Sequence, residues 1–291
     1  MTPLDRIRIM QQGRPDFSVG PKLQTTWGFR EGAVFAAEGL SATVMMVSAA
    51  DRWLPGMIAA EALMVLVVAL LFSHLGNPKA AWRAMVNFRR SWISRGTTMI
   101  GGFVGLGALA ILIELGLPVP DGAATVVFPL QAVTATFIIF YPGFAMAASA
   151  GIPFWTTGSL PLLSALGGLS SGTLMGLALT PFGLDLPING GQAKTVALVL
   201  LAATAAAILA QVSAALRAGA GARLSARLLV EKERVWFWLL AVGVGLAMPA
   251  VCVGLGLFGF AGLVIAAAGR FCGDIALRYA ILKVGTYESL L

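Results

Sequence analysis

The sequence predicts an all-α membrane protein, a bundle of eight transmembrane helices with both termini in the cytoplasm. Hydrophobic residues make up 58% of its 291 residues and charged residues only 11%, whereas a soluble domain averages about 25% charged residues. The apolar residues form continuous runs rather than the alternation of β-barrel strands, and continuous runs in lipid must be helical to satisfy their backbone. This composition argues against a soluble enzyme, a nucleic-acid-binding protein and a disordered chain.

Eight apolar stretches are each long enough to cross roughly 30 Å of hydrocarbon as a helix. The first 24 residues are polar, and no apolar core follows Met1, so we expect no cleavable signal peptide. We therefore predict an N-terminal tail, a transmembrane domain and a C-terminal tail, at residues 1–28, 29–279 and 280–291. The predicted spans are 29–49, 56–74, 98–117, 124–149, 159–181, 193–215, 235–254 and 257–279.

Glycine spacing in the spans predicts close helix packing rather than a channel. The pairs Gly101/Gly105 and Gly172/Gly176 are small residues four apart, a pattern that allows helix backbones to approach one another. No internal repeat is visible in the sequence, so a transporter built from inverted repeats gains no support.

The lysine and arginine residues predict the orientation of the bundle. All but two of the 20 fall in the N-terminal tail, the 2–3 and 6–7 connections, and the last span with its tail; the exceptions are Arg52 and Lys194. Because positive charge is retained in the cytoplasm, we expect that side to be cytoplasmic and the protein to lie in the inner membrane of the cell.

Two charged residues lie at matching predicted depth. Glu38 is nine residues into the first span, and Arg270 is nine residues before the predicted end of the last, so each lies about 13 Å deep at 1.5 Å per residue. Charges at such depth are costly and often functional. We predict that they pair or share a polar network that transfers protons; the alternative is that the pair only fixes helix register.

Other acidic residues extend this prediction. Glu31 is seven residues before Glu38 and shares its helix face, and Asp274 stands one turn beyond Arg270 on the stripe that ends at Arg278. We include Glu31 and Asp274 in the predicted network. Glu61 and Glu114 lie near the ends of their spans and are assigned to the membrane rim rather than to a proton path.

The scarcity of metal ligands limits what redox chemistry the chain can hold. His74 is the only histidine, so a haem with two histidine ligands cannot be built within one chain, and the usual iron–sulfur ligand sets are absent. Cys252 and Cys272 have no metal-binding spacing and are expected in the core. If the protein carries electrons, the metal centres belong to partners. A lone histidine at a helix end is otherwise more often a rim residue.

One cytoplasmic connection carries a recognisable pattern. Residues 73–84 read SHLGNPKAAWRA and residues 87–95 read NFRRSWISR. This resembles the His-Leu-Gly-x-Pro…Arg-Ala…Asn…Ser-x-x-Ser-Arg stretch of DmsC-like, NrfD-related membrane anchors. Weaker matches extend over nearly the whole chain: Gln24 and Trp27, Tyr141, Ile152–Trp155, Pro161, Gly269–Arg270 and Gly285–Tyr287.

The resemblance implies a subunit of a molybdopterin oxidoreductase of the dimethyl sulfoxide reductase type. Such an anchor docks an iron–sulfur subunit, beyond which lies the molybdopterin catalytic subunit, and it exchanges electrons with ubiquinone or menaquinone. His74 matches the family histidine linked to quinol binding. Gly96 stands where the family has an acidic residue, which leaves the proton acceptor open; Glu31 or Glu38 is our candidate substitute.

The remaining candidates follow from the predicted topology. Tyr141, Arg95 and Trp155 project to the cytoplasmic half with His74, where hydrogen-bond donors meet the carbonyl oxygens of a quinone ring. The basic 2–3 connection is our candidate docking surface for the partner, although it also suits anionic lipid; its residues are Lys79, Arg83, Arg89 and Arg90. No residue is assigned to catalysis on the main substrate.

Three classes of function stay open from the sequence. We favour an anchor that receives electrons from a cytoplasmic sulfite-oxidising enzyme and reduces quinone, because the charge pattern puts the docking face in the cytoplasm. A quinol-oxidising anchor of a dimethyl sulfoxide- or polysulfide-type reductase is the first alternative. The others are a secondary transporter that uses Glu38 and Arg270, and a passive assembly scaffold.

Overall fold

The computed structural model describes residues 22–73, 82–156 and 158–288. Within these ranges, eight helices are long and apolar enough to cross a membrane, so the chain is a multi-pass membrane protein and the predicted all-α class is confirmed. They are α1 (Phe29–Ala50), α2 (Leu54–Phe72), α3 (Trp92–Glu114), α4 (Ala123–Ala147), α5 (Leu160–Phe182), α6 (Gly190–Arg217), α7 (Val235–Gly254) and α8 (Gly259–Lys283).

Short elements connect the spans. A one-turn helix, Arg83–Val86, precedes α3, and the helix Ala220–Arg227 follows α6. Strands β1 (Lys22–Leu23) and β2 (Thr286–Tyr287) form a two-stranded antiparallel sheet that joins the two ends of the described chain. We call the end of the bundle where α1 begins and α8 ends the basic end; it is the end predicted to be cytoplasmic.

Local sequence signals explain where several spans begin. Pro55 and Pro161 occupy the first turns of α2 and α5, where a missing backbone N–H costs nothing. At the start of α6, Asn189 Oδ1 accepts a hydrogen bond from the Gln192 backbone N–H at 2.8 Å, and Gln192 Oε1 accepts one from the Asn189 N–H at 3.2 Å. This reciprocal capping satisfies two otherwise unpaired donors.

Two span boundaries differ from the prediction by about a turn or more. Helix α3 begins at Trp92 rather than residue 98, because Ser91 Oγ accepts the Ser94 N–H and caps the helix. Helix α8 continues to Lys283 rather than residue 279, and the Lys283 ammonium pairs with the Glu233 carboxylate at 3.0 Å. Residues 280–283 therefore belong to the last span and not to the C-terminal tail.

Helices α1 and α5 form the centre of the bundle. Most of their residues are buried, whereas the other spans expose a larger share of their apolar side chains. The two helices cross where Gly39 faces Gly168: a Cβ added at Gly39 would lie 2.9 Å from the Gly168 Cα. One turn further along, Gly172 packs directly against the Thr43 side chain. At the Gly39–Gly168 crossing only glycine allows this approach, because the neighbouring atoms are backbone.

The second half of the bundle repeats the contacts of the first. Helix α1 packs against α2 and α4, and α3 packs against α4; in the same way α5 packs against α6 and α8, and α7 packs against α8. The halves meet through α1 with α5, α4 with α5, and α8 with α1. The sequence shows no sign of this arrangement, because lipid-facing and core positions accept many apolar residues.

The glycine pairs singled out in the sequence have different environments. Gly172 lies at a close helix crossing, but a Cβ added at Gly101 or Gly105 would meet nothing within 4 Å. The prediction of close packing is therefore wrong for Gly101 and Gly105, which face outward from α3. A four-residue spacing of small residues is insufficient when that face has no neighbouring helix.

We expect Gly39→Ala to destabilise the bundle and Gly105→Ala to leave it unchanged. The added methyl group at Gly39 must push α1 away from the backbone of α5, and overpacking of this kind costs about 1–3 kcal/mol. The measurement is the apparent Tm of the purified protein in one detergent. Equal Tm values for the two variants would contradict the crossing.

Candidate functional site

A ladder of three charged residues lies inside α8. Arg278 Nε donates to Asp274 Oδ2 at 2.9 Å, and Arg270 Nη2 lies 3.6 Å from Asp274 Oδ1. All three side chains are buried. The spacing of four residues aligns them on one face, so a single carboxylate holds two guanidinium groups.

Helix α5 supplies the other contacts of this ladder. Ser164 accepts from Arg278 through its hydroxyl at 3.2 Å and its carbonyl at 3.1 Å, and Ser170 Oγ accepts from Arg270 Nε at 2.7 Å. Gly167 lies between the two serines against the Asp274 carboxylate, where a Cβ would collide with it. The ladder is thereby built into the α5–α8 contact.

Glu38 lies beside this ladder but is not bonded to it. Its side chain is 1% exposed, and neither carboxylate oxygen has a hydrogen-bond partner. Arg278, rather than Arg270, is the cation that lies beside the adjoining residue of α1: its Nη2 is 3.9 Å from a Cβ added at Gly39. The predicted Glu38–Arg270 pair is wrong, because α8 ends four residues later than predicted and Arg270 therefore lies about 6 Å deeper.

Tyr141 of α4 lies over the glycine that replaces the expected acidic residue. A Cβ added at Gly96 would collide with the Tyr141 ring, so the phenol fills the space that a side chain at position 96 would need. Tyr141 is buried, and its helix packs against α1, which carries Glu38. A buried phenol that lies against Gly96 and an unbonded carboxyl group are therefore on neighbouring helices.

Arg95 reaches this region only through an aromatic stack. Its guanidinium lies 4.6 Å from the Trp92 ring centre and donates to the carbonyl oxygens of Phe88 and Arg89 at 3.0 and 2.8 Å. The Trp92 ring is 6.4 Å from that of Phe137, which in turn is 6.2 Å from Tyr141. Arg95 thus holds the 2–3 connection onto α3.

Trp155 belongs to a cluster at the basic end that also contains Gln24 and Trp27; we call this cluster the cap. Its indole N–H donates to the Ile281 carbonyl at 3.2 Å, and its ring stacks on Trp27 at 5.6 Å. The Gln24 amide donates to the Leu282 and Trp27 carbonyls at 2.7 and 2.6 Å. Most hydrogen-bonding capacity of these side chains is used within the cap, so they hold the first and last spans together.

Glu31 is also structural. Its carboxylate accepts the Gly28 backbone N–H at 2.6 Å and is half-buried, so it caps the start of α1 and does not join the buried network. Nearby, Arg30 donates to the Leu70 carbonyl at 2.6 Å and to Ser73 Oγ. These bonds hold the end of α2 beside the beginning of α1.

The docking candidates are only partly described. His74 and Lys79 lie outside the described residues. Arg83, Arg89 and Arg90 are exposed at the basic end, and the Arg83 guanidinium lies 5.8 Å from the ring centre of Trp82. The segment presents basic and apolar side chains together to its surroundings.

Two buried polar side chains that the sequence analysis did not identify lie farther from the basic end. Glu61 is 9% exposed and Gln131 is 1% exposed, and the polar atoms of both side chains have no hydrogen-bond partner. The assignment of Glu61 to the rim is therefore wrong. Glu114 does lie at the rim, where it pairs with Arg52 at 2.6 Å. The only sequence signal for Glu61 was its seven-residue distance from the start of α2.

A small cavity connects the ladder with apolar surroundings. It lies between α4, α5 and α8, and Met146, Leu163 and Leu277 line it together with Ser164, Asp274 and Arg278. Among the described residues, no group of three or more His, Cys, Asp or Glu side chains is arranged to bind a metal ion.

The fold and these contacts define a class: a polytopic helical membrane protein with a charged network buried between α5 and α8. Comparison with known proteins gives no more specific assignment. No family model matches the chain, and no curated protein is similar to it. The resemblance to DmsC-like anchors accordingly stays a prediction from the motifs.

Proposed function

We propose that the protein is the membrane anchor and quinone-reactive subunit of a molybdopterin iron–sulfur oxidoreductase. The observation that carries this proposal is Glu38: a buried carboxyl group without a hydrogen-bond partner. Its neighbour Gly39 lies close to Arg278, whose Nη2 is 3.9 Å from a Cβ added at Gly39, and α1 packs against α4, which carries the buried Tyr141 phenol. An unbonded carboxyl group in lipid is costly, which favours a functional reason for its presence.

Quinone chemistry needs the groups that this region offers. Reduction of a quinone to a quinol takes two electrons and two protons, and oxidation of a quinol returns them. A histidine or phenol N–H or O–H donates to a ring carbonyl, and a carboxyl group transfers the protons. In the proposal, His74 and Tyr141 bind the ring oxygens and Glu38 exchanges protons with them, which replaces the acid missing at Gly96.

Electrons come from a partner in this proposal. The docked iron–sulfur subunit brings its nearest cluster to the exposed basic segment of Arg83, Arg89 and Arg90, and the molybdopterin subunit lies beyond it. The charge bias predicts that both are cytoplasmic. We favour sulfite oxidation with quinone reduction, and the quinol-oxidising direction is the alternative because the same groups serve both.

A secondary transporter is less well supported. Such a protein would bind its substrate at the arginine ladder, where Asp274 and Ser164 already bond Arg278 and Ser170 bonds the Arg270 Nε, so that Arg270 Nη2 is the ladder nitrogen recorded without a hydrogen bond. Affinity purification from native membranes separates the two hypotheses. Co-purification of an iron–sulfur and a molybdopterin subunit supports the anchor, whereas an isolated chain with substrate-driven uptake would refute it.

We expect His74→Ala to impair quinone-coupled turnover and to leave the complex assembled. Loss of a positioned donor or acid typically costs 10²-fold or more, on the order of 10²–10⁴. Turnover with a soluble quinone analogue is measured beside electron transfer to an artificial acceptor dye, which bypasses the membrane subunit. Unchanged quinone kinetics would eliminate His74 from the site.

A further inference from the structure

We propose that the first four-helix half holds a second, water-filled site around Glu61 and Gln131, which supplies protons to Glu38. The proton role rests on the proposed function, but the water site does not. Its basis is the pair of buried side chains, on two different helices, whose polar atoms all lack partners.

The two side chains lie at one level of the bundle. A Cβ added at Gly107 of α3 would collide with Glu61 Oε2, so the carboxyl group reaches from α2 to α3. Helices α3 and α4 run antiparallel, with Gly96 against Tyr141 and Gly102 beside Thr134. Gln131 is one turn before Thr134 on α4. In the same antiparallel register it therefore lies beside the part of α3 near Gly107, the residue that contacts Glu61.

Water is the ligand that fits these groups. A carboxyl group and a primary amide offer both donors and acceptors, yet they do not bond to each other or to any neighbour. Leaving such groups unsatisfied in an apolar interior is costly, and buried waters ordinarily bridge polar groups of this kind. The pair therefore marks a site occupied by bridging water.

The site lies between two other acidic groups along the bundle axis. The Met45 Sδ-methyl group is 3.2 Å from the added Cβ at Gly107, so Met45 adjoins Glu61. Glu38 precedes Met45 by two turns on the same face of α1, and Glu114 follows Gly107 by two turns on α3. Each separation is about 10 Å, a gap that a few waters span. Glu38, Glu61 and Glu114 thus form a series that leads away from the basic end.

The water site is tested without any enzyme activity. X-ray radiolysis of the purified protein creates hydroxyl radicals from bound water, so a fully buried side chain is oxidised only where water adjoins it. The reporters are Met45, which adjoins Glu61, and Phe103, which is one turn before Gly107 on α3. Phe154, which is as fully buried as Phe103, is the control. In the unaltered protein we expect Phe103 to be modified several-fold faster than Phe154. In the double variant Glu61→Leu/Gln131→Leu we expect the two phenylalanines to react equally and Met45 to escape oxidation. Thr136→Val on the exposed face of α4 is the matched control variant.

The outcomes separate the water site from the proposed function. Equal modification of Phe103 and Phe154 in the unaltered protein overturns the site, whether or not the double variant folds. If the site is hydrated, Glu61→Gln in the assembled complex should slow quinone turnover at least about tenfold, and unchanged turnover overturns the proton role. A complex without any quinone turnover removes the proposed function and the proton role together, while the labelling still decides the site.

Discussion

Replacing Asp274 by alanine is expected to prevent stable folding of the membrane domain. The Asp274 carboxylate is the shared partner of Arg270 and Arg278, and all three are buried between α5 and α8. Its removal leaves two cations facing each other with only Glu38 to oppose them. Breaking a buried ion pair in this way costs about 3–5 kcal/mol, which is a large part of the stability of an ordinary domain.

The measurement is the yield of monodisperse protein and its apparent Tm. Arg52→Ala is the control, because it breaks the exposed Arg52–Glu114 pair, and exposed pairs contribute about 0–1 kcal/mol. In Arg270→Met/Asp274→Leu a cation is removed together with the anion, so we expect part of the yield to return. An Asp274→Ala protein as stable as Arg52→Ala would show that the ladder does not hold α5 to α8.

Replacing Glu38 by glutamine is expected to abolish most quinone turnover without preventing assembly. Glutamine has nearly the same shape but cannot exchange a proton, and loss of a positioned acid or base lowers rates by roughly 10²–10⁴-fold. Because the Glu38 oxygens have no hydrogen-bond partner, the substitution breaks no hydrogen bond. The assay compares quinone reduction with dye reduction in the purified complex.

Glu31→Gln is the matched control for this prediction. It lies on the same helix face two turns earlier, but its carboxylate caps the Gly28 N–H, and glutamine is able to keep that bond. We expect near-normal turnover for Glu31→Gln. Normal turnover for Glu38→Gln, or equal losses for both variants, would rule out Glu38 as the proton-exchanging group.

Several residues that carry the family resemblance have a structural explanation. Gln24, Trp27 and Trp155 interlock in the cap at the basic end, and Gly285 accepts the Gln24 backbone N–H at 2.8 Å through its carbonyl. A Cβ at Gly285 would lie 2.9 Å from the Trp155 ring. Residues from the beginning, middle and end of the chain thus meet at one place.

The all-α class and the eight spans follow from the amino-acid sequence alone. Long apolar runs leave helices as the solution in lipid, and every predicted span overlaps an observed helix. Glu38, Arg270, Asp274 and Tyr141 are also recognisable in the sequence as candidate functional residues, because polar groups at membrane depth stand out against apolar neighbours.

Which of those groups meet depends on how the helices pack. Four extra residues in α8 put Arg270 about 6 Å deeper than predicted, and the guanidinium beside Gly39, the neighbour of Glu38, is that of Arg278. An apolar sequence does not specify how a helix is rotated about its axis or which other helix packs against each of its faces. For that reason Gly39 at a crossing, Gly105 facing outward, and Glu61 opposite Gly107 became distinguishable only once the helices were packed.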